Sequence, residues 1–333
     1  MKLSKHKLGE LIEVTRGASL SGQFYAEEGE LIRLTLGNFN MNGGGFKENT
    51  SKTDLYYTGT VKDEFILNKG DIITPLTEQS LGLLGTTARI PENGKYIQSQ
   101  DVALVKCKEG LLDPNFCYYL ISSSIVRQQL SAGAQQTKIR HTSPDKIKDC
   151  TVWVPEFEEQ KRIGRILTDI DEKITLNRQI NDNLEAMAKQ LYDYWFVQFD
   201  FPNEEGKPYK SSGGAMVWNE KLKREIPKGW SGVSLKDLAV TSRNAITPVE
   251  NEVYQHFSIP SFDACGSYSL DNGSDIKSDK FVLQEGQLLV SKLNPWFNRV
   301  VWVPRGTNII GSTEFVVLNP NNKSESGYIY SVI

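Results

Sequence analysis

The fold is decided by one stretch of the sequence, EEQKRIGRILTDIDEKITLNRQINDNLEAMAKQLYDYW, which covers residues 158–195. Its apolar positions recur in alternating steps of four and three residues, the spacing of a coiled-coil seam, and it contains no proline. The seam consists of Ile163, Leu167, Ile170, Ile174, Asn177, Asn181, Leu184, Ala188, Leu191 and Trp195. A helix over 163–195 is roughly 50 Å long at 1.5 Å per residue. A compact domain rarely needs such a length, so we expect an outward-reaching helix that binds a partner.

The sequences on the two sides of this helix are repeats of each other. Five short segments from the first part of the chain recur in the same order after the helix, at offsets that drift from 227 to 211 residues. The matched pairs are 7–11 with 234–238, 65–73 with 281–289, 88–91 with 301–304, 101–105 with 314–318, and 116–119 with 327–330. The second pair consists of two apolar strands around a glycine-containing turn. We therefore predict two copies of one strand-rich domain.

The repeat and the helix define a mixed α/β (α+β) architecture, in which a long coiled-coil-type helix separates two strand-rich domains. We place the first domain at residues 1–155, the spacer helix at 156–200, a Pro/Gly/Ser-rich linker at 201–230 and the second domain at 231–333. On the last offset, Ile333 corresponds to residue 122 of the first copy. The second repeat is therefore expected to be truncated, without a second spacer helix.

The charge of the chain is unevenly distributed. The formal net charge of −3 argues against a uniformly basic nucleic-acid binder, although it averages over different segments. Residues 156–200 carry 6 basic and 10 acidic side chains, whereas 1–150 carry 18 and 17, and 201–333 carry 14 and 14. The acidic helix is therefore better suited to protein contact than to a phosphate backbone.

Signals for export, membrane insertion and metal binding are lacking in the sequence. It has no signal-peptide run and no stretch of 18 apolar residues. The four cysteines and three histidines are scattered without the spacing of metal ligands, which argues against structural zinc, disulfides and a catalytic triad. We therefore expect a cytoplasmic protein with no membrane partner.

One string is similar to a catalytic motif. Asn294-Pro295-Trp296-Phe297 has part of the Asn/Asp-Pro-Pro-aromatic loop of adenine-N6 methyltransferases, but its second proline is missing and no glycine-rich cofactor loop precedes it. We interpret it as a turn at the end of a strand. The GLLGTT segment at 82–87 lacks the lysine and the spacing of a phosphate loop. We therefore expect no catalytic residues, no metal and no cofactor bound by this chain.

Polar loops in both copies suit DNA recognition. Amide side chains match adenine edges, and Arg and Lys match guanine edges or phosphates. Similar loops at matching strand turns of two domains favour recognition over the alternative of plain solvated loops. The predicted DNA-binding residues are Thr77, Gln79, Ser80, Gln135, Gln136, Lys138, Arg140, Lys292, Asn294, Asn298 and Arg299.

Three segments, 153–188, 191–200 and 226–230, resemble the specificity subunits of type I restriction–modification systems, and the Glu159-Gln160-x-x-Ile163 helix start is the most specific element. The resemblance implies two target-recognition domains, each of which reads half of a split site in double-stranded DNA. It implies methyltransferase (modification) and restriction/translocase subunits as partners, and S-adenosylmethionine, ATP and Mg²⁺ as cofactors of those partners. The chain itself is implied to be non-catalytic.

The missing second helix departs from the family pattern, in which two helices pair antiparallel and set the spacing of the half-sites. We expect the seam residues to form a subunit interface, with Asn177 and Asn181 at the pairing positions. The chain then either self-associates, for example as a two-fold dimer, or docks on methyltransferase subunits. Two alternatives stay open: the target-recognition part of a single-chain restriction–methylation enzyme, and a coiled-coil scaffold with two binding domains and no DNA role.

Overall fold

The computed structural model of the protein describes residues 2–41, 44–78, 82–133 and 140–333. It divides into two compact units, Met1–Arg178 and Gln179–Ile333, and the boundary lies within the long helix. Each unit contains a four-stranded and a five-stranded β-sheet in its described residues.

The first unit combines these two sheets with short helices. Its strands are Ser4–Lys7 (β1), Ile12–Arg16 (β2), Tyr25–Ala26 (β3), Ile32–Arg33 (β4), Tyr56–Tyr57 (β5), Ile66–Leu67 (β6), Ile72–Pro75 (β7), Thr77–Glu78 (β8), Ala88–Arg89 (β9), Tyr96–Ile97 (β10), Val102–Cys107 (β11), Arg140–His141 (β12) and Thr151–Val154 (β13). Its helices are Leu8–Leu11 (α1), Pro114–Ser122 (α2), Ser124–Gly133 (α3), Pro144–Lys148 (α4) and the start of Phe157–Tyr192 (α5). The sheet orders are β2-β11-β7-β9 and β3-β5-β4-β10-β6, and β1 pairs with β13 and β8 with β12.

Alternate residues of the four-stranded sheet face two different cores, as the two-residue period of a strand requires. Ile72 and Val105 pack in a cluster with helical residues such as Ile121. Their chain neighbours Ile73 and Leu104 pack in a second cluster with residues of the five-stranded sheet. The four-stranded sheet is therefore the middle layer of the first unit.

The second unit has the same kinds of sheets. Its strands are Met216–Asn219 (β14), Arg224–Pro227 (β15), Ala239–Ser242 (β16), Ala245–Ile246 (β17), Val253–Phe257 (β18), Ser269–Asn272 (β19), Lys280–Val282 (β20), Leu288–Ser291 (β21), Val300–Trp302 (β22), Ile309–Gly311 (β23) and Phe315–Pro320 (β24). Its helices after α5 are Leu235–Leu238 (α6), Ile259–Cys265 (α7) and Ser326–Val332 (α8). The sheet orders are β16-β24-β21-β22 and β17-β20-β23-β18-β19, and β14 pairs with β15.

The structure confirms the predicted repeat and the mixed α/β class. The order β2-β11-β7-β9 recurs as β16-β24-β21-β22, and Ile72 lies opposite Arg89 as Leu288 lies opposite Trp302. The parallel pair β4–β10 recurs as β18–β23. One strand differs, because β3 extends its sheet beside β5 whereas β17 lies at the opposite edge beside β20.

The predicted long helix is confirmed as α5, whose 36 residues span about 54 Å and continue into a π-helical turn over Asp193–Val197. Its start is held by Gln160, of which 2% is exposed. The Gln160 carbonyl oxygen accepts the backbone N–H of Asp113 at 3.0 Å, and its amide donates to the carbonyl oxygens of Leu111 and Pro155 at 3.3 and 3.0 Å. The helix is therefore joined to the first unit through a fully hydrogen-bonded buried amide. Among the described residues, no helix is long and apolar enough to cross a membrane.

Two further contacts continue this junction, about one and three helical turns after Gln160. A Cβ atom at Gly164 would lie 2.7 Å from the backbone nitrogen of Phe116, so the close approach of α5 to α2 requires glycine. The Tyr119 hydroxyl donates to the Asp171 carboxylate at 2.8 Å. The pKa of Tyr119 is raised to about 12, mainly by burial and in part by the hydrogen bond to Asp171.

Residues 201–230, predicted to be a linker, contain the ordered hairpin β14–β15. The Phe201 ring stacks on Tyr209, which precedes the hairpin, and on Trp230, which follows it, with centroid distances of 4.8 and 4.9 Å. The Pro/Gly/Ser content pointed to an irregular connection, but aromatic stacking and strand pairing order this part of the chain.

We expect Gln160→Ala to lower the free energy of unfolding of the first unit by about 1–3 kcal/mol, because it leaves a buried N–H and two carbonyl oxygens without their partner. Urea denaturation followed by circular dichroism measures this loss. Gln190→Ala, at an exposed position of the same helix, is the control and is expected to change stability by less than about 0.5 kcal/mol. Equal midpoints for the two variants would contradict the anchoring role of Gln160.

Candidate nucleic-acid interface

The short ribbon of β8 and β12 brings together two polar segments that are far apart in the sequence. Arg140 lies opposite Glu78, and His141 lies opposite Thr77. The sequence suggests polar recognition loops at 74–80 and 135–140, but Thr74 belongs to β7, and Thr77 and Arg140 lie on this ribbon instead of on loops.

A buried carboxylate organises this ribbon. Glu78 is 2% exposed, and its Oε2 accepts the backbone N–H groups of Gly82, Leu83 and Leu84 at 3.1, 2.9 and 3.0 Å. Its Oε1 pairs with Nη1 of Arg140 at 3.2 Å. Three N–H donors and one guanidinium satisfy this negative charge, which would otherwise be costly to bury. Glu78 thereby joins β8 to the segment 82–84 and to Arg140 of β12.

The predicted DNA-binding residues of the first unit fall into two groups. Thr77 is buried, and the Arg140 side chain, of which 19% is exposed, bonds through its guanidinium to Glu78 and to Ser131. The other predicted residues, Gln79, Ser80, Gln135, Gln136 and Lys138, lie outside the described residues. The DNA contacts of all seven residues stay predictions.

In the second unit, the predicted residues lie together on the loop between β21 and β22. Lys292 is exposed, and its amine donates to the carbonyl oxygen of Thr313 at 2.8 Å. Asn294 and Asn298 are also exposed, and both have left-handed backbone conformations, with φ of 49° and 43°. Asparagine tolerates this conformation better than most residues, so these two positions shape the loop as well as present amides.

Arg299, at the end of the same loop, is held by a carboxylate. Its Nε and Nη2 donate to the two oxygens of Asp263 at 2.6 and 2.8 Å, and only 11% of its side chain is exposed. The Asp263 hydrogen bond raises the pKa of Arg299, and the same hydrogen bond lowers the pKa of Asp263. The arginine therefore fixes the base of the loop, and its contact with DNA stays a prediction.

Sequence reasoning missed two aromatic residues on this loop. The structure confirms the interpretation of Asn294–Phe297 as a turn, because Pro295–Phe297 form a 3₁₀ turn between β21 and β22. It leaves Trp296 and Phe297 exposed at the tip, by 73% and 59%. The sequence signal for them is the string Asn294-Pro295-Trp296-Phe297 itself, but its interpretation as a turn does not predict that both rings are exposed.

The seam of helix α5 is exposed along much of its length. Ile170, Ile174, Leu184 and Leu191 each expose between 43% and 56% of their surface. Asn177 and Asn181 are exposed as well, whereas Ile163, Leu167 and Trp195 are half-buried. Three further exposed apolar residues, which the sequence analysis did not include, lie along one side of the seam at 100° per residue: Leu176, Ile180 and Met187. The apolar face of the helix is therefore wider than the predicted seam.

In the first unit, Cys117 and Cys150 are buried and Cys107 is half-buried. Cys107 and Cys117 are hydrogen-bonded, which raises the pKa of Cys117 and lowers that of Cys107, and burial raises the pKa of Cys150 to about 11. The described residues contain no group of three or more His, Cys, Asp or Glu side chains that could hold a metal ion.

Comparisons with known proteins agree with one another. A family model described as the type I restriction modification DNA specificity domain matches residues 2–186. The type I restriction enzyme MjaIX specificity subunit of Methanocaldococcus jannaschii is 27% identical over 154 residues, which are 46% of this chain and 33% of that protein. The HindI specificity subunit of Haemophilus influenzae is 30% identical over 122 residues, which are 33% of this chain and 27% of that protein. The chain thus matches about a third of the length of these relatives.

A solved structure shares the fold. The crystal structure of the type I restriction–modification system S subunit from M. genitalium aligns with 99% of this chain and 76% of its own, with a TM-score of 0.55 and 15% sequence identity. This likeness supports the fold described above, with a long helix and strand-rich domains.

We expect Glu78→Gln to destabilise the first unit by about 3 kcal/mol, because it removes the negative charge that pairs with a largely buried guanidinium. The matched control is Glu92→Gln, since Glu92 is an exposed partner of Lys95 and its loss should cost less than about 1 kcal/mol. Urea denaturation compares the two. A Glu78→Gln protein as stable as the Glu92→Gln protein would show that this carboxylate does not organise the ribbon.

Proposed function

Because the chain belongs to the family of type I restriction modification DNA specificity domains, we propose that it supplies the sequence specificity of a type I restriction–modification complex. The observation that carries the proposal is the repeated four-stranded sheet, in which β7 and β21 occupy the same place and each leads into a polar segment. Two such domains read two half-sites, so the target is a bipartite site in double-stranded DNA.

The role of this chain in the complex is recognition rather than catalysis. Its loops offer amide, hydroxyl and cationic groups, which suit base edges and phosphates. In this proposal, methyl transfer from S-adenosylmethionine belongs to methyltransferase subunits, and cleavage that depends on ATP and Mg²⁺ belongs to restriction/translocase subunits. The complex acts on DNA in the cytoplasm.

The exposed apolar face of α5 is proposed as the surface on which helices of other subunits dock. Residues 156–200 carry a net charge of −4, from 6 basic and 10 acidic side chains, which disfavours DNA as the occupant. The occupant is either a methyltransferase subunit or the same helix of a second copy of the chain. In a helix pair, Asn177 and Asn181 fix the register at some expense of stability.

The function is tested by footprinting. Sequencing of modified adenines in DNA from cells that carry this system identifies the two half-sites, and the chain with its methyltransferase subunits is then footprinted on that site. We expect two protected blocks with an unprotected spacer, at nanomolar concentrations typical of specific binding. A complex that leaves DNA unprotected would support the scaffold alternative, and methylation by the chain alone would support the single-chain enzyme.

The docking face is tested by paired charge substitutions. We expect Ile170→Lys with Leu184→Lys to weaken subunit association at least a hundredfold, because both lysines enter an apolar interface. Thr175→Lys with Ala186→Lys adds the same charge on the opposite side of the helix and is expected to leave association unchanged. Light scattering of the chain alone measures self-association, and co-purification with methyltransferase subunits measures docking. Equal losses from both double variants would contradict the assignment of this face.

A further inference from the structure

The loop between β21 and β22 exposes a pair of aromatic side chains. Trp296, at 73%, has the highest exposure among the large apolar side chains of the described residues, and the neighbouring Phe297 is 59% exposed. The two rings lie 6.2 Å apart. Exposure of this much aromatic surface to water is unfavourable, and side chains that bury it on binding contribute strongly to affinity.

Hydrogen bonds and two left-handed asparagines brace the tip. Asn294 and Asn298 flank it in the left-handed region, and the backbone N–H of Phe297 donates to the carbonyl oxygen of Asn294 at 3.0 Å. Before the tip, the Ser291 hydroxyl accepts the N–H of Leu293 at 3.1 Å and donates to its carbonyl oxygen at 2.9 Å. A loop ordered in advance loses little conformational entropy when it binds.

Two cationic side chains lie at the base of the aromatic tip, one on each arm of the loop. The Arg299 guanidinium lies 4.7 Å from the centre of the Phe297 ring and is clamped by Asp263. The Lys292 amine is exposed on the other arm of the loop. The exposed Trp296 ring offers a stacking face for a base, and the exposed Lys292 amine on the same loop offers a positive charge for its phosphate, whereas Arg299 is paired with Asp263 and braces Phe297.

We propose that Trp296 stacks on a base of the target DNA, as an apolar wedge at one base step of the half-site read by the second domain, and that Phe297 braces it. This inference rests on the proposed function. It goes beyond readout by amides and cations, because a wedge unstacks the duplex locally and reads how easily a base step deforms.

The experiment uses the chain with its methyltransferase subunits and a duplex that contains the site identified by sequencing. 2-Aminopurine replaces, one at a time, each adenine of the second half-site and its flanks, and its fluorescence reports unstacking. The variants are Trp296→Ala and Trp296→Phe. Trp218→Ala is the control, since Trp218 is 57% exposed in β14 of the same unit.

We expect Trp296→Ala to weaken binding about ten- to a hundredfold and to abolish the fluorescence increase that the wild-type complex causes at one step. The slope of log K against log salt should stay the same, because no phosphate contact is lost. Trp296→Phe should lie in between, and Trp218→Ala should match the wild type.

Three results would overturn the wedge. The first is wild-type affinity and fluorescence in Trp296→Ala, and the second is a loss of subunit association in that variant, which would make the tip a protein contact. Both leave the wild-type footprint, and with it the proposed function, intact. The third is a wild-type complex without a sequence-specific footprint, which overturns the wedge together with the proposed function.

Discussion

The side-chain amide of Gln160 links the long helix α5 to the strand-rich first unit. It is buried where α5 leaves the first unit, and both its oxygen and its nitrogen are satisfied by backbone groups. Polar groups in such a place are stabilising only when every bond is made, so the amide fixes where the helix starts and which way it leaves. Gly164 then allows α5 to approach α2 closely, and the Tyr119–Asp171 hydrogen bond continues the contact. Beyond this junction most side chains of α5 are exposed, so Gln160, Gly164 and Asp171 supply the contacts that fix the start of the helix on the first unit.

The two units show how one sequence pattern can be used twice. Ile72 and Ile73 are neighbours in the chain but belong to different cores, and Leu288 and Leu289 divide between two cores in the same way. This division follows from strand pleating and survives wide sequence divergence, since any apolar pair of suitable size satisfies it. The loops that follow these strands carry no such constraint. They are therefore free to differ between the units, as the proposed recognition of two half-sites requires.

The sequence predicted the elements that carry a recognisable pattern, either a heptad spacing or a segment that recurs in both copies. The heptad spacing located α5, and the matched segments located β6, β7, β9 and β11 together with their counterparts in the second unit. The opposite placement of β3 and β17 was not predictable, because both lie in stretches where the copies share no pattern. The burial of Glu78 was hidden for another reason: a glutamate beside polar residues suggests a solvated loop, and only the fold supplies three backbone N–H donors. The exposure of Trp296 was equally hidden, since tryptophan is usually buried and here the tertiary structure leaves it at a loop tip.

The ion pairs of Glu78 and Asp263 change how the charge of the chain relates to DNA binding. Arg140 and Arg299 are two cations in segments that are otherwise close to neutral, yet each directs its guanidinium at a carboxylate and is mostly buried. Cations that are paired internally release few counterions, so counting Lys and Arg overstates the electrostatic attraction of these surfaces for phosphates. In this arrangement the arginines position loops, and in the proposed function the loops carry the recognition. The proposed DNA binding therefore draws little on phosphate charge from these two arginines and more on shape, stacking and base edges. A division of this kind suits a specificity component, because phosphate contacts contribute affinity for every sequence and base contacts contribute affinity for one.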